Sequence, residues 1–431
     1  MNRYITADSI FPVSSSPVKD GVVVLNDTGT ILDLIDPVLQ PIGPEFKTAI
    51  EKHSGIICPG FINTHCHLEL SWMKGIIPER LGMAGFIKGL IAARRAYNHE
   101  MALTAIEKAE VEMINNGIVA VGDISNNDST FAQKGKKNLM YHTFLEVFDL
   151  DTAKAELVFN AAIKLLALYP MEMQEHKENL KHKTDLQFPD PKNISIVPHA
   201  PYSVSGNLFK LIGQQAAQTN SLISYHSQES PAESELFISK SGMLFDYFNS
   251  LGMNLDYIEK TGLNSLRSTL PWFSKTNKTL LVHNTFSDKK DIKYALDYFT
   301  QQGKKIGDNL FFCFCPNANL YIENRLPEFN LFIEAGAQCT IGTDSLASNH
   351  SLSILDELKV ISKSNLSIPL QTLLKFATLN GAKFLGFDGE LGSIEKGKRP
   401  GLNLISGENL NKGFNVKMLS LSKDCLVKKI L

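Results

Sequence analysis

Short apolar runs alternate with longer amphipathic segments along most of the 431-residue chain. Runs such as IVAVGDIS, TLLVHNTF and NLFFCFCP are nearly continuous in apolar residues, as is typical of strands buried on both faces. Between them lie segments such as AGFIKGLIAARRAY and DIKYALDYFTQQG, whose helical spacing of apolar residues predicts helices. Strands alternating with helices indicate a parallel sheet with crossover connections. The length of this pattern favours an α/β fold in the form of a (β/α)₈ barrel.

The two ends of the chain carry a different pattern. Near the start, VVVLND and ILDLID are β-branched runs separated by the turn DTGT, and strand-like runs return after Phe387. We therefore expect one small β domain built from both termini. The expected boundaries place residues 1–57 and 388–431 in this domain and residues 58–387 in the barrel.

Within the barrel pattern, two stretches look like insertions. The polar segment 171–193 is expected to be an exposed excursion, and residues 240–278 are too long for an ordinary connection and could form part of a substrate pocket. Two helices, near 352–364 and 369–385, are expected to end the barrel.

Composition excludes several classes of protein. With 43 basic and 45 acidic residues the formal net charge is −2, so we expect neither a nucleic acid nor an anionic membrane as partner. No apolar run reaches the roughly 18–20 residues of a membrane helix. The first residues show no basic end followed by an apolar core, so we expect no secretory signal. Six scattered cysteines form no disulfide-like framework, which favours the cytoplasm.

Ionisable side chains recur where the predicted strands end. His65 and His67 are two residues apart, and strand geometry points both imidazoles the same way, so they can share a metal ion. Other such groups close or follow later strands: His199, His226, His283 and Asp344. Because the carboxyl ends of barrel strands converge on one mouth, this recurrence predicts a metal site there.

Other motifs admit two interpretations. Glu229, three residues after His226, could transfer a proton beside the metal or could be an acidic residue favoured at a helix N-terminus. Asp344 could be a ligand, a base or both. The run from Gly392 to Lys398 resembles a phosphate loop but lacks the following Ser or Thr, so we expect a turn. The basic run from Lys134 to Lys137 is expected to be solvated surface.

Several segments together resemble a known family. PGFINTHCHLEL, HAPYSVS, YHSQES, VHNTF and GTDSLASN are similar to motifs of the amidohydrolase superfamily, most closely of its aminohydrolases with one metal ion. That branch includes deaminases of S-adenosylhomocysteine, guanine and aminodeoxyfutalosine, with the triazine hydrolases nearby. The resemblance covers nearly the whole chain. It implies a distorted (β/α)₈ barrel with a small β-sandwich formed from both termini.

The resemblance implies one divalent metal ion per chain, zinc or alternatively iron. Four residues would hold it: His65, His67, His226 and Asp344. The segment NISIVPHAPYS contains no lysine, so the carbamylated-lysine bridge of binuclear relatives is not expected.

The resemblance also implies roles in catalysis. Asp344 would accept a proton from the attacking water, and Glu229 would pass a proton to the ring nitrogen beside the attacked carbon. His283 would orient the water, and His199 would contact the substrate. For Glu69, in the run HLELS, two roles stay open: it would bind substrate hydroxyls or orient a histidine ring.

The implied activity is hydrolytic deamination of an amino-substituted, purine-type heterocycle. HLELS is similar to aminodeoxyfutalosine deaminases, which makes that nucleoside the leading candidate. Ala318 stands where the family has Ser, and Pro400-Gly401 where many members have Ala-Asp, so substrate choice stays open. Alternatives are a guanine- or cytosine-type base, a triazine dechlorination, a cyclic amide hydrolysis, or a non-catalytic binding protein. A homodimer is expected by resemblance.

Overall fold

The computed structural model describes residues 2–41, 49–179, 193–253, 255, 258–300, 307–410 and 419–431. Its strands are β1 (Arg3–Thr6), β2 (Ser9–Ile10), β3 (Val18–Lys19), β4 (Val22–Leu25), β5 (Ile31–Ile35), β6 (Ile50–Lys52), β7 (Ile56–Pro59), β8 (Phe61–Cys66), β9 (Ile118–Ser125), β10 (Met140–Val147), β11 (Ile194–Pro198), β12 (Ile223–Ser227), β13 (Thr279–His283), β14 (Leu310–Phe314), β15 (Gln338–Ile341), β16 (Leu402–Ser406) and β17 (Leu426–Lys429).

Strands β8–β15 form the barrel, as two four-stranded sheets of order β8–β9–β10–β11 and β12–β13–β14–β15. The pairs β10–β11, β12–β13, β13–β14 and β14–β15 are parallel. The contacts that join the sheets include a hydrogen bond from the main-chain N–H of His226 to the carbonyl of His199 and a parallel bridge between Cys66 and Asp344. Apolar runs such as TLLVH and LFFCF are buried along their whole length. The expected distorted (β/α)₈ barrel is confirmed.

Helices follow most barrel strands. They are α1 (Gly82–Arg94), α2 (His99–Asn115), α3 (Phe131–Gly135), α4 (Ala155–Asn179), α5 (Gly206–Thr219), α6 (Pro231–Ser239), α7 (Met243–Ser250), α8 (Ser265–Thr269), α9 (Lys289–Phe299), α10 (Pro316–Glu323), α11 (Phe329–Glu334), α12 (Ile354–Ser364), α13 (Leu370–Ala377) and α14 (Leu379–Leu385). Short 3₁₀ helices are Leu68–Met73, Thr152–Lys154, Leu270–Trp272 and Glu408–Leu410. No helix among these is long and apolar enough to cross a membrane.

Both ends of the chain contribute to the small β-sandwich. One sheet has the order β5–β4–β1–β6, and the other has the order β17–β16–β7–β2–β3. In the second sheet, β16 from the C-terminal segment pairs antiparallel with β7 from the N-terminal segment. Apolar residues of both sheets share one core, including Ile5, Val23, Ile57 and Leu404. The expectation that both termini build one β-sandwich is confirmed.

The chain divides into two compact units. One contains residues 1–64, 111–121 and 352–431, and the other contains residues 65–110 and 122–351. The boundaries expected after residues 57 and 387 stay a prediction.

Two local expectations have different outcomes. Helix α4 continues to Asn179, within the segment 171–193 that is expected to be an exposed excursion; residues 180–192 lie outside the described residues, and the exposure of the segment stays a prediction. The final helix, expected to be continuous over 369–385, is divided at Thr378, whose backbone leaves the helical region at φ −134° and ψ −85°.

Lys134 is the clearest departure from expectation. It was assigned to a solvated basic run, yet it lies in α3 with only 2% of its surface exposed. Its ammonium group forms an ion pair with Asp123 at 2.6 Å. Burial of this lysine is therefore possible because its charge is fully partnered within the protein.

Candidate metal centre and active site

Four of the expected residues meet at the carboxyl ends of the barrel strands. His65 lies in β8 and His67 directly follows it, His226 lies in β12, and Asp344 follows β15. All four are buried, and one potential ligand atom from each lies within 4.8 Å of the others. The strand period thus carries the two imidazoles of the His-x-His pair to the same side, as expected.

The distances within this cluster are short. His65 Nε2 and His67 Nε2 are 3.2 Å apart. Oδ1 of Asp344 lies 3.5 Å from His65 Nε2 and 3.4 Å from His67 Nε2. The main-chain N–H groups of Thr343 and Asp344 both donate to the carbonyl of His65, at 3.0 and 3.1 Å. The first and last strands of the barrel are therefore tied together at the cluster.

Neighbouring groups fix the orientation of two members. His226 Nδ1 donates to the main-chain carbonyl of His199 at 2.8 Å, which leaves Nε2 as the lone-pair nitrogen. The Ser348 hydroxyl donates to Oδ2 of Asp344. These bonds hold a ring and a carboxylate as preformed donors.

The protonation of the cluster suits a divalent cation. Burial lowers the pKa of His67 to about 3 and holds the pKa of His226 well below its usual value, so both imidazoles are neutral near pH 7. Burial alone would raise the pKa of Asp344, but the hydrogen bond with His65 and the adjacent imidazoles keep it well below its usual value. Three imidazole nitrogens and one carboxylate oxygen form a donor set that fits zinc.

Glu229 and His283 lie beside the cluster as a pair. Oε1 of Glu229 is 3.4 Å from His283 Nε2, and His283 Nδ1 donates to Oδ1 of Asn319 at 2.9 Å. Burial, with a further contribution from the charge of Asp344, raises the pKa of Glu229 well above its usual value. Burial lowers the pKa of His283 to about 4. The pair therefore combines a carboxyl that retains its proton with a neutral imidazole.

The local fold favours the catalytic interpretation of Glu229. It precedes α6, where Ser230 is the N-cap and accepts a hydrogen bond from the main-chain N–H of Glu233. The Glu233 carboxylate in turn accepts the N–H groups of Gln228 and Glu229, at 2.9 and 3.1 Å. Because these two residues cap the helix start, the carboxyl of Glu229 is left to face the cavity.

His199 and Glu69 differ in their access to the cavity. His199 lines it, with Nδ1 2.6 Å from the hydroxyl of Ser203. Glu69 is buried in the 3₁₀ helix and is not among the cavity-lining residues; its Oε2 accepts the main-chain N–H of Asn126 at 3.0 Å. Burial raises the pKa of Glu69 to about 8.

Sequence reasoning missed Glu146, near the end of β10. It lines the cavity, and its Oε1 lies 3.6 Å from His226 Nδ1. Its Oε2 accepts a hydrogen bond from Nδ2 of Asn126 at 3.1 Å. The signal was present, because MYHTFLEV is an aromatic and β-branched run with an acidic residue near its end, like the other barrel strands.

A cavity of about 840 Å³ opens over these groups. This is within the range of roughly 300–1,000 Å³ found for small-molecule sites. Helix α1 contributes the apolar side chains of Phe86, Ile87 and Leu90, and the 240–278 insertion contributes Tyr247 and Phe248 from α7. The insertion does form part of this pocket. Charged groups also line it: Arg94, Asp149, Asp151 and Lys154.

A family profile agrees with the geometry. The profile of the Amidohydrolase family matches residues 56–423. The chain belongs to this family. The expectation of a hydrolase that acts on C–N bonds is therefore confirmed at the level of the family.

Individual amidohydrolases are similar over most of their length. An adenosine deaminase of Helicobacter pylori is 28% identical over 387 residues, covering 87% of this chain and 82% of the relative. The crystal structure of H. pylori aminofutalosine deaminase with methylthio-coformycin has a TM-score of 0.70 at 24% identity, covering 96% and 94% of the chains. An adenosine deaminase from Xanthomonas campestris with bound zinc has a TM-score of 0.70 at 18% identity, covering 99% and 91%. The two structures show the shared fold.

Proposed function

We propose that the protein is a hydrolytic deaminase that replaces the amino group of a purine-type nucleoside by oxygen and releases ammonia. One observation carries the proposal: the Glu229–His283 pair stands beside the cluster of three histidines and one aspartate, at the same cavity. This combination places a proton donor next to a site for a divalent cation. The names of the similar deaminases support the same reaction class.

The proposed metal site consists of His65, His67, His226 and Asp344, and zinc is the proposed ion. The neutral imidazoles of His67 and His226 and the ionised carboxylate of Asp344 support it, as does the zinc in the similar Xanthomonas structure. Iron is the alternative, because such a donor set accepts several divalent ions. When bound, the ion would supply Lewis-acid activation of a water molecule near neutral pH.

The remaining steps are assigned to side chains of this protein. Asp344 accepts a proton as water adds to the amino-bearing ring carbon. Glu229, protonated because it is buried, donates its proton to the adjacent ring nitrogen. His283, held through Nδ1 by Asn319, orients the attacking water with Nε2. Asp344 then gives its proton to the amino group, which leaves as ammonia. The hydroxyl proton of the intermediate returns to Glu229 as the ring carbonyl forms, so water supplies the oxygen and no other reactant is needed.

The cavity supports a nucleoside rather than a small base alone. Polar residues surround the metal cluster, and apolar residues of α1 and α7 line the volume beyond it. Aminodeoxyfutalosine is the leading candidate, supported by the run HLELS and by the similarity to an aminofutalosine deaminase. His199 is proposed to contact the substrate.

For Glu69, the contacts support a positioning role. Its carboxylate faces the main chain of Asn126, whose side chain in turn holds Glu146 at the cavity. We infer that Glu69 holds Asn126 in place and that Asn126 in turn holds Glu146. The carboxylate of Glu146 would then accept a hydrogen bond from a substrate hydroxyl.

Ammonia release tests the proposal. The zinc-loaded protein would be assayed with aminodeoxyfutalosine, S-adenosylhomocysteine, methylthioadenosine, adenosine, guanine and cytosine. We expect one nucleoside to react with kcat/KM above about 10⁴ M⁻¹s⁻¹, as is usual for enzymes with their own substrates. Silence across the panel would contradict the proposal; chloride release from a triazine, or opening of a cyclic amide, would replace it.

Two further expectations stay predictions. One is a homodimer, which sedimentation analysis of the purified protein tests. The other is a cytoplasmic location, which fractionation of the native cells tests.

A further inference from the structure

A buried ion pair adjoins the segment that carries His67. Asp123 lies in β9 and Lys134 in α3, and neither side chain is exposed at all. The Lys134 ammonium donates to Oδ2 of Asp123 at 2.6 Å, to the Ser125 hydroxyl at 3.0 Å and to the Thr143 hydroxyl at 3.1 Å. All three N–H groups of the ammonium therefore have acceptors.

The other oxygen of Asp123 reaches the metal-binding segment. Oδ1 accepts the main-chain N–H of Leu68 at 2.8 Å, and Leu68 directly follows His67. The carbonyl of the same peptide, from His67, accepts the N–H of Leu70 at 3.0 Å. Both polar groups of the peptide between His67 and Leu68 are thus fixed, and one of them is fixed by a side chain from a neighbouring strand.

A contribution to stability does not by itself explain this buried ion pair. Burying two charges is costly, and an apolar pair of similar volume is often as stable or more stable. The pair instead fixes the orientation of the Asp123 carboxylate, because Lys134 binds one oxygen while the other accepts the Leu68 N–H. A carboxylate bound through both oxygens has little freedom to rotate.

We propose that Asp123 and Lys134 are positioning residues for His67 and that they set the affinity of the cluster for its divalent metal ion. This inference rests on the metal centre of the proposed function. Neither residue is a metal ligand; both act through the peptide that joins His67 to Leu68. Groups that orient metal-binding histidines typically change metal affinity by about 10- to 100-fold.

Two double variants separate positioning from charge burial. Asp123→Asn with Lys134→Met removes both charges of this pair, and the asparagine oxygen can still accept the Leu68 N–H. Asp123→Leu with Lys134→Met has nearly the same shape and also no charge, but it removes that acceptor. Zinc affinity is measured by competition with a chromophoric chelator, and the melting temperature of the metal-free protein is measured alongside.

We expect the Asp123→Leu double variant to bind zinc about 10- to 100-fold more weakly than the wild type. The Asp123→Asn double variant should retain most of the affinity. Glu110→Gln is the matched control: Glu110 is fully buried, accepts hydrogen bonds from Tyr141, Gln133 and Asn138, and contacts none of the cluster residues. It should lower the melting temperature without changing zinc affinity.

The outcomes distinguish the two proposals. If the wild type binds no zinc, the metal centre fails and this inference fails with it. If the wild type binds zinc and the Asp123→Leu double variant binds it equally well, only the inference fails. Should the Glu110→Gln control lose zinc affinity in proportion to its melting temperature, loss of stability would explain the effect, and the inference would be overturned. If the Asp123→Leu double variant does not fold, Asp123→Ala with Lys134→Met decides in its place, because it also removes the acceptor of the Leu68 N–H. Zinc affinity about 10-fold or more below that of the wild type supports the inference, and wild-type affinity overturns it.

Discussion

At the scale of single residues, burial decides what Glu229 can do. Its carboxyl has a pKa raised well above the usual value by burial and by the charge of Asp344, while its main-chain N–H is held by Glu233. A carboxyl that keeps its proton near neutral pH can serve as an acid toward a ring nitrogen.

Glu229→Gln tests that role. The change keeps the shape of the side chain and removes the transferable proton, so we expect kcat for ammonia release to fall by about 10²- to 10⁴-fold. Metal content, measured by elemental analysis, should stay at the wild-type level. Glu110→Gln serves as the control for a buried Glu-to-Gln change away from the cavity. Near-normal kcat in Glu229→Gln would refute the proton transfer.

Asn319→Leu tests whether His283 orients water or binds the metal. The variant removes the acceptor for His283 Nδ1, so kcat should fall by about tenfold, the equivalent of about 1.4 kcal/mol for one buried hydrogen bond. Because His283 is outside the proposed ligand set, zinc content should not change. His65→Ala, by contrast, should lose both metal and activity. A loss of zinc in Asn319→Leu would make His283 a ligand.

Lys134 shows the limit of sequence reasoning at this scale. A short run of lysines indicates solvated surface, because an unpaired ammonium is costly to bury. Its burial depends on partners from two strands: Asp123, Ser125 and Thr143. The sequence of the lysine run itself does not indicate them. The proximity of His65, His67 and Asp344 was predictable because each lies at the end of an apolar strand, and the carboxyl ends of barrel strands converge. Their role as metal ligands stays a prediction.

At the scale of elements, the start of α6 shapes the active site. Gln228 has a positive φ of 53°, which turns the chain between β12 and the helix. The carboxylate of Glu233 then binds the N–H groups of Gln228 and Glu229 and the hydroxyl of Ser265. One buried side chain thus holds the turn that presents Glu229.

Glu233→Gln tests this arrangement. The amide has one acceptor oxygen instead of two, so a buried N–H loses its partner, and the free energy of unfolding should fall by about 1–3 kcal/mol. The value of kcat should fall with it, because the backbone of Glu229 loses a constraint. Chemical denaturation and ammonia release measure the two effects. Glu235→Gln, on the exposed side of the same helix, should change neither; unchanged stability in Glu233→Gln would contradict the role.

Strand β10 and helix α4 escaped prediction, and the reasons differ. In β10 the run MYHTFLEV includes His142 and Thr143, which break the apolar continuity, although both are buried within the barrel. Helix α4 extends to Asn179, into a polar segment whose composition does not show the apolar spacing typical of a helix. The other strands and most helices were predictable because their spacing alone encodes the buried face.

At the scale of the molecule, metal binding should contribute to stability. A ligand that binds only the folded state stabilises it by about 4 kcal/mol when its concentration is 1,000 times its dissociation constant. We expect removal of zinc with a chelator to lower the melting temperature by about 5 °C or more, and added zinc to restore it. Calorimetry of both forms measures the shift. Identical transitions for the two forms would contradict a zinc-dependent fold.

The tie between His65 and the Thr343–Asp344 segment has a consequence for biogenesis. The carbonyl of His65, near the beginning of the barrel, accepts the N–H groups of Thr343 and Asp344, near its end. The proposed metal site is therefore complete only after the whole intervening chain has been synthesised and the first and last barrel strands have come together. Contacts this distant in sequence form late. The metal ion therefore cannot bind to its complete site during the early steps of folding. A ribosome-bound nascent chain that stops before Asp344 should fail to retain zinc.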